Sequence, residues 1–512
     1  MTSELVDKVT AGYTFNSPTL DLGALVVDGV GVPTAQVRIP LAVLNRHGLV
    51  AGATGTGKTK TLQVMAEQLS TAGVPVFLAD IKGDVSGMAV PGESNEKLVA
   101  RATEIGQTWQ PTAFPCEFYA LGGKGTGIPV RATITSFGPT LLSKVLGLTD
   151  VQESSLNLIF HFADKNGLPL LDLKDLRAVI QHLTSEEGAD ALKDLGGLSK
   201  QTAGVLLREL IGFADKGADQ FFGEPEFLTT DLLRTAPDGR GLVSIMELPG
   251  VVAQPALFST FLMWLLADLF NDLPEVGDLD KPKLVFFFDE AHLLFKDASK
   301  AFQESITQTV RLIRSKGVGI FFVTQTPKDV PGDVLAQLGN RVQHALRAYT
   351  PEDAKALKAT VSTYPHSDYD LAQVLTSLGT GEAIVTVLSD KGAPTPVAWT
   401  KLRAPQSLMA PAPAEVLEAA VKASPLYPKY AEMVDRESAY EILMAKVAAA
   451  PAPEAPAPAA PAPKQARAPK EEPGMVQQVM ESSAVKSFLR SAATTIGREI
   501  TRSIFGTARK RR

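Results

Sequence analysis

Gly52-Ala53-Thr54-Gly55-Thr56-Gly57-Lys58-Thr59 spells G-x-x-x-x-G-K-[ST] and follows the apolar run Leu49-Val50-Ala51. After it, Leu62, Met65, Ala66 and Leu69 recur at amphipathic helical spacing. A strand, a glycine-rich turn and a helix in this order form a phosphate-binding loop. Glycines permit backbone angles that turn successive N–H groups onto one phosphate at the helix N-terminus. The pattern assigns Gly52 through Thr59 to nucleotide binding, with Lys58 reaching the β- and γ-phosphates and the Thr59 hydroxyl holding Mg²⁺. ATP and Mg²⁺ are therefore the expected cofactors.

Working outward, Val76-Phe77-Leu78-Ala79 reads as the next strand and ends at Asp80, which makes a βαβ unit and predicts a parallel sheet. Strand character returns at Leu242–Met246, Leu284–Phe288 and Ile320–Val323, with helical sequence between. The fold class that follows is α/β: a doubly wound or RecA-like P-loop core on a mostly parallel sheet, carrying a helical insertion. The expected organisation is a short N-terminal β segment over 1–40, the first part of the core over 41–85, a mainly helical insertion over 86–240 and the second part of the core over 241–405. A helical C-terminal extension over 406–447, an Ala/Pro-rich linker over 448–474 and a basic amphipathic tail over 475–512 complete it. In the insertion, Ser154–Ala163, Leu173–Leu183 and Thr202–Ala214 read as helices. Near the end of the core, Glu382–Leu388 and Pro396–Trp399 flank Asp390-Lys391-Gly392 as a hairpin.

Leu284-Val285-Phe286-Phe287-Phe288-Asp289-Glu290 is an apolar strand closed by two acids. Beside a phosphate loop these are expected to complete the site, Asp289 holding Mg²⁺ through water and Glu290 orienting and polarising the attacking water. His292 extends the string to Asp-Glu-Ala-His, but neither a Ser-Ala-Thr motif nor an arginine-rich closing motif accompanies it, so His292 reads as a structural or supporting group. Thr324-Gln325 ends the following strand, which makes Gln325 the candidate γ-phosphate sensor. Arg311 and Arg314, three apart on one helix face, are candidates for an arginine supplied to a neighbouring subunit's site. Arg46, Arg341 and Arg347 are weaker candidates.

Composition bounds the rest. With 45% hydrophobic and 21% charged residues the 512-residue chain is globular rather than disordered. Phe261–Phe270, the longest apolar run, is interrupted by Asp268 and reads as a buried helix, and the N-terminus has no secretory pattern. The lone Cys116 excludes an internal disulfide and any all-cysteine metal site, and fits a cytoplasmic setting. The net charge of −6 hides an asymmetry, because residues 475–512 carry eight Lys/Arg against Glu481 and Glu499 and the remainder is more acidic still. Any nucleic-acid contact in the body is thus expected to be local, as in a channel. In the tail, Val485, Leu489, Ala492, Ile496, Ile500 and Ile504 recur at helical spacing. Three readings stay open for it: a helix docking on its own protein or a neighbour, a peripheral membrane-surface contact, or a nucleic-acid arm.

Arg46-His47 ahead of the phosphate loop, Asp80-Ile81-Lys82-Gly83-Asp84, Phe-Phe-Asp-Glu-Ala-His and Val-Thr-Gln together resemble the HerA–FtsK superfamily. More closely, Pro129–Thr133, Leu171–Ala178, Phe221-Phe222-Gly223-Glu224-Pro225 and Ser487-Phe488-Leu489-Arg490 make the chain similar to the bacterial HerA-like proteins of the YjgR type. The resemblance implies a RecA-like core, a homo-hexameric ring and ATP-driven movement of double-stranded DNA. It matches Lys58, Asp289, Glu290 and Gln325 to nucleotide-site motifs, Arg314 to the trans-acting arginine and Arg46 to an arginine preceding the phosphate loop. HerA helicases carry a substantial N-terminal β-barrel that docks a nuclease, whereas about forty residues precede the core strand here, which puts a nuclease partner in doubt. Two other functions fit the same motifs: an ATPase acting on protein or at a membrane surface, and a scaffold switched by ATP binding.

Overall fold

The computed structural model describes residues 2–449 apart from 124, 186–187, 189–196, 249–254, 278 and 297–299. The Ala/Pro tract beyond 449 and the amphipathic stripe of the tail lie outside the described residues.

Apolar strands bounded by turns pair into one twelve-stranded sheet: β1 (Thr19–Val27), β2 (Val30–Pro40), β3 (Gly48–Ala51), β4 (Val76–Asp80), β5 (Cys116–Leu121), β6 (Ile128–Val130), β7 (Val243–Glu247), β8 (Leu284–Phe288), β9 (Val318–Thr324), β10 (Asn340–Gln343), β11 (Glu382–Thr386) and β12 (Ala398–Leu402). Their spatial order is β2-β1-β12-β11-β10-β3-β9-β8-β4-β7-β5-β6. From β10 to β6 every neighbouring pair is parallel, whereas β11, β12, β1 and β2 form an antiparallel wing. The central strands are buried throughout, as a parallel sheet covered on both faces requires.

Packing at the centre is aromatic. Phe77 meets Phe286 at 5.1 Å between ring centroids, and Phe287 meets Phe321 at 5.3 Å. The phenylalanines expected to make β8 a core strand do so. Gly48 makes room for this contact, since a Cβ there would lie 2.2 Å from the Phe321 ring. Helix Pro255–Asp272 is apolar on all sides and buries Phe261, Leu262 and Trp264, as expected for the run containing Asp268. No helix among the described residues is long and apolar enough to cross a membrane.

Three expectations change. Residues 1–40 are not β alone: Thr2–Gly12 is a helix, α1, with Val9 buried, and the strand pair behind it is hydrogen-bonded into the sheet through β1 and β12. The 86–240 segment holds the helices Asp150–Lys165, Leu173–Leu183 and Lys200–Asp215, but it also supplies β5 and β6, which extend the parallel sheet beyond β7. The signal for β5 is blurred by Glu117, a buried carboxylate bonded to the Arg234 guanidinium, the Tyr119 hydroxyl (2.8 Å) and the Ser424 hydroxyl (2.7 Å). β6 is three residues long and includes a proline, too short for any periodicity to register. Finally, helix Ala439–Ala449 runs past the expected start of the linker at 448.

Candidate functional site

The parallel register decides which residues meet. Ala51 pairs with Thr324, Phe288 with both Phe322 and Ala79, and Asp80 with Glu247. The C-terminal ends of β3, β9, β8, β4 and β7 therefore form one edge, where parallel sheets place ligands. Along it lie the phosphate loop, Gln325, Asp289-Glu290, Asp80 and Glu247.

The phosphate loop is set for an anion. Gly57 caps helix α2 (Lys58–Thr71) at φ 110° with no side chain bonded to the first-turn N–H groups, which leaves them for a ligand. Two neighbours hold the loop in shape. Gly381 N donates to Thr56 O at 2.9 Å, and a Cβ on Gly57 would come within 3.3 Å of Gly381 Cα. His344 lies buried beneath. Its Nδ1 is 3.1 Å from Thr56 O, an acceptor only, so Nδ1 carries the proton and Nε2 accepts from the Thr61 hydroxyl at 2.9 Å. Burial, with Lys58 nearby, pushes the His344 imidazole down to about 4, so it is neutral. Neither His344 nor Gly381 carries a motif, and only the placement of β10 beside β3, with β11 next beyond it, reveals them. Arg101 belongs to the same support: its Nε donates to Leu402 O at 2.9 Å and its Nη2 bonds Gly381 O.

Lys58 is buried, and its ammonium donates to Ala53 O at 3.1 Å. Burial lowers its pKa, while Glu290 and Asp289 act the other way. A buried ammonium satisfied by a single carbonyl fits a phosphate, which would return the charge compensation that burial removes. Thr59 sits half-buried in the first turn of α2. Asp289 is buried, and burial pushes its carboxyl up to about 6 against the opposing charge of Lys82. A hard divalent cation would favour its ionised form, so Thr59 and Asp289 have the oxygen donors such an ion takes. Among the described residues no cluster of three or more His, Cys, Asp or Glu is placed to hold a metal alone. An ion at this edge would therefore complete its shell with phosphate and water.

Glu290 has φ 47°, a conformation that costs a non-glycine residue on the order of 1–3 kcal/mol and is found where the surroundings impose it. Its N–H donates to Asp289 Oδ1 at 2.9 Å, and its carboxylate pairs with the Lys82 ammonium. Burial alone would raise the Glu290 pKa, but Lys82, His292 and Lys58 together hold it below the ordinary carboxylate range. His292 thus stands beside Glu290 as a supporting group, Nδ1 3.3 Å from Oε2. Next along the edge, burial and the Asp80 charge push Glu247 up to about 7. Gln325 is exposed just past β9, whose Thr324 carbonyl accepts from Gly52 N at 3.2 Å, so it borders the loop.

The arginines divide. Arg347 reaches its own phosphate loop, donating to Thr54 O at 3.3 Å, and Arg341 donates to Thr363 Oγ1 at 2.7 Å. Arg46 precedes β3 and leans on the turn at Gly392, while Arg311 and Arg314 are exposed where helix Lys300–Ile313 ends and β9 begins. These three stand at the N-terminal edge of the sheet. At about 3.3 Å per residue, the seven-residue β9 puts roughly 20 Å between Arg311 and Arg314 and the loop, and the four-residue β3 puts roughly 13 Å between Arg46 and the loop. Arg46 lies before β3 with its guanidinium against the Gly392 turn and away from its own phosphate loop, so the structure does not bring it to the nucleotide-binding residues it was expected to join. A role for Arg46, Arg311 or Arg314 at a phosphate requires another subunit's site.

Comparison with known proteins agrees with this architecture. Over 375 residues the chain is 24% identical to the DNA double-strand break repair helicase HerA of Sulfurisphaera tokodaii, covering 72% of this chain and 67% of that protein. The corresponding HerA of Sulfolobus acidocaldarius is 23% identical over 381 residues, with the same coverage. Among solved structures, the bacterial conjugative coupling protein TrwBdeltaN70 superposes with a TM-score of 0.50 at 16% identity, over 79% of this chain and 94% of that one, which is a likeness of fold. Residues 28–512 match the family described as helicase HerA-like C-terminal, and the chain, with its phosphate loop, its acidic strand end and its parallel sheet, belongs to that family.

Proposed function

We propose that this chain is a Mg²⁺-dependent ATPase that assembles into a hexameric ring and moves or remodels double-stranded DNA. One juxtaposition carries the ATPase reading: an uncapped helix N-terminus with the buried Lys58 at one strand end, and Asp289-Glu290 two strands away on the same edge. The DNA reading is supported by family membership and by relatives named as DNA repair helicases.

Bound Mg²⁺·ATP supplies an electrophilic γ-phosphorus whose oxygens are partly neutralised. The chain's residues do the remainder. The N–H groups from Gly52 to Thr59 bind the β-phosphate, and Lys58 exchanges Ala53 O for phosphate oxygen. Thr59 and Asp289 hold the metal, Glu290 polarises the attacking water and Gln325 senses the γ-phosphate. Arg314 acts on the neighbouring subunit's site, with Arg311 and Arg46 on the same edge.

The deciding measurement is the ATPase rate with and without duplex DNA, on protein whose oligomeric state is determined in the same buffer. Stimulation by duplex DNA is expected. Stimulation only by anionic vesicles or a protein substrate would move the reading to a membrane or protein motor. ATP-dependent assembly without turnover would make the chain an ATP-switched scaffold.

A further inference from the structure

Asp80, at the end of β4, is buried and gathers the following loop around itself. Lys82 N (3.2 Å), Gly83 N (2.8 Å) and Asp84 N (3.2 Å) donate to its Oδ1, and Val85 N donates to Oδ2 at 2.9 Å. Four backbone donors on one carboxylate fix the loop to its strand. β4 lies directly beside β8, so this loop abuts Asp289-Glu290, and the Lys82 ammonium contacts Oε1 of Glu290. The two partners are unequal: the Lys82 side chain is 41% exposed and that of Glu290 8%. The second oxygen, Oε2, is buried without a hydrogen-bond partner, and so is the neighbouring Nδ1 of His292, 3.3 Å away but out of line for a hydrogen bond.

We propose that Lys82 is a positioning residue for Glu290. By clamping Oε1 it fixes the carboxylate's rotation, and with it the direction from which the carboxylate meets the attacking water. The Asp80 turn carries the clamp, so the orientation of Glu290 is set from the neighbouring strand and not from its own. This rests on the reading of Glu290 as the water-polarising group. Two other roles for Lys82 would leave different traces. As a phosphate ligand it would govern nucleotide affinity, and as a purely structural cation it would govern folding.

The test uses the full chain with Lys82→Met, Lys82→Arg and Lys82→Gln, each alone and combined with Glu290→Gln. Steady-state kcat and KM for ATP are measured together with equilibrium binding of fluorescently labelled ADP and with melting temperature. Loss of the clamp should lower kcat about 10- to 100-fold, the scale expected when a reacting group is displaced by about 1 Å. KM and labelled-ADP affinity should stay within about two-fold, because the clamp acts on the reacting group and not on bound nucleotide. Lys82→Arg should recover most of kcat and Lys82→Gln less. In the Glu290→Gln background the Lys82 substitutions should add little, as expected of two residues acting as a unit.

Losses in kcat matched by equal losses in nucleotide affinity would make Lys82 a phosphate ligand and overturn the proposal. So would an unchanged kcat in Lys82→Met, or fully additive losses. If Lys82→Met does not fold, an equal kcat in Lys82→Arg and Lys82→Gln overturns it and a higher kcat in Lys82→Arg supports it. Wild-type turnover in Glu290→Gln alone would refute the assignment of Glu290 itself, which separates that failure from a failure of the clamp.

Discussion

The two edges of the parallel sheet are built from the same strands and carry opposite chemistry. At the C-terminal edge, ionisable groups are packed against one another, and their protonation equilibria are displaced: Lys58 and Glu290 downward, Lys82, Asp80, Asp289 and Glu247 upward. At the N-terminal edge, Arg311 and Arg314 extend into solvent, and the buried group is a neutral histidine, His47, which accepts from Ile320 N at 3.1 Å and donates to Val310 O at 2.7 Å. One edge is prepared for a ligand that repays desolvation. The other presents exposed arginines that lie away from the chain's own phosphate loop. In the proposed ring, a chain with both edges would act on its neighbour, and the contrast can be broken at either edge.

The largest effect is expected at the ligand edge. Lys58→Ala should abolish ATP turnover and weaken ATP binding together, because the ammonium compensates phosphate charge before and during reaction. Glu290→Gln should instead retain ATP without hydrolysing it. Rapid-filtration binding with radiolabelled ATP, alongside phosphate release, distinguishes the two. If both variants bound and turned over ATP normally, this edge would not be the reaction site.

At the opposite edge, Arg314→Ala should reduce turnover on the order of 10³-fold if the arginine acts across a subunit boundary. Mixing it with Lys58→Ala should restore part of the rate, since some mixed interfaces then contain one intact loop and one intact arginine. Near-normal turnover in Arg314→Ala would transfer the role to Arg311 or Arg46. Arg347 is the internal control: it touches its own loop, so its loss should not be rescued by mixing.

How much of this contrast could be read in the sequence depends on how far apart its parts lie along the chain. The phosphate loop, the apolar β8 and its two acids are local patterns, and each appears where its spacing predicts. His344, Gly381 and the Lys82–Glu290 contact exist only because β10, β11 and β4 lie where the sheet order puts them, and no run of adjacent residues encodes that order. The position of Arg46 shows the same limit: proximity in sequence to the phosphate loop reads as proximity in space, yet one intervening strand carries it to the far edge. The helix at Thr2–Gly12 was obscured for another reason, a short amphipathic turn next to glycine- and proline-punctuated strands.

A smaller effect belongs to His47. Burial pushes its imidazole down to about 4 from an ordinary value near 6.5, so the folded state resists protonation. The folded value lies below the unfolded one, so its contribution is fully present above pH 6.5 and is lost as pH falls toward 4. A shift of this size corresponds to up to ~3 kcal/mol. Melting temperature should fall across that window, and His47→Gln, which removes the titrating group, should flatten the slope while lowering stability at neutral pH. An unchanged slope would mean that the N-terminal edge opens readily enough to protonate the ring.

The smallest effect on turnover is expected from the segment that belongs to neither edge. Residues 475–512 carry a balance of +6 behind an Ala/Pro tract, and every residue assigned a part in the reaction precedes position 448. Removing the chain from Ala448 onward should leave basal ATPase within about two-fold. What should change is binding to anionic partners, and that binding should weaken with salt, because exposed charges are screened over about 8–10 Å at 0.1–0.15 M. Helix Ala439–Ala449 spans the cut, so a second truncation after Ala449 controls for damage to that helix. Pelleting with anionic vesicles, gel shift with duplex DNA and sizing chromatography, each at two salt concentrations, separate the tail's partners. If both truncations lost oligomeric state and ATPase together, the tail would be a clasp between subunits, and the division of labour between the two edges would depend on a third element that holds them in register.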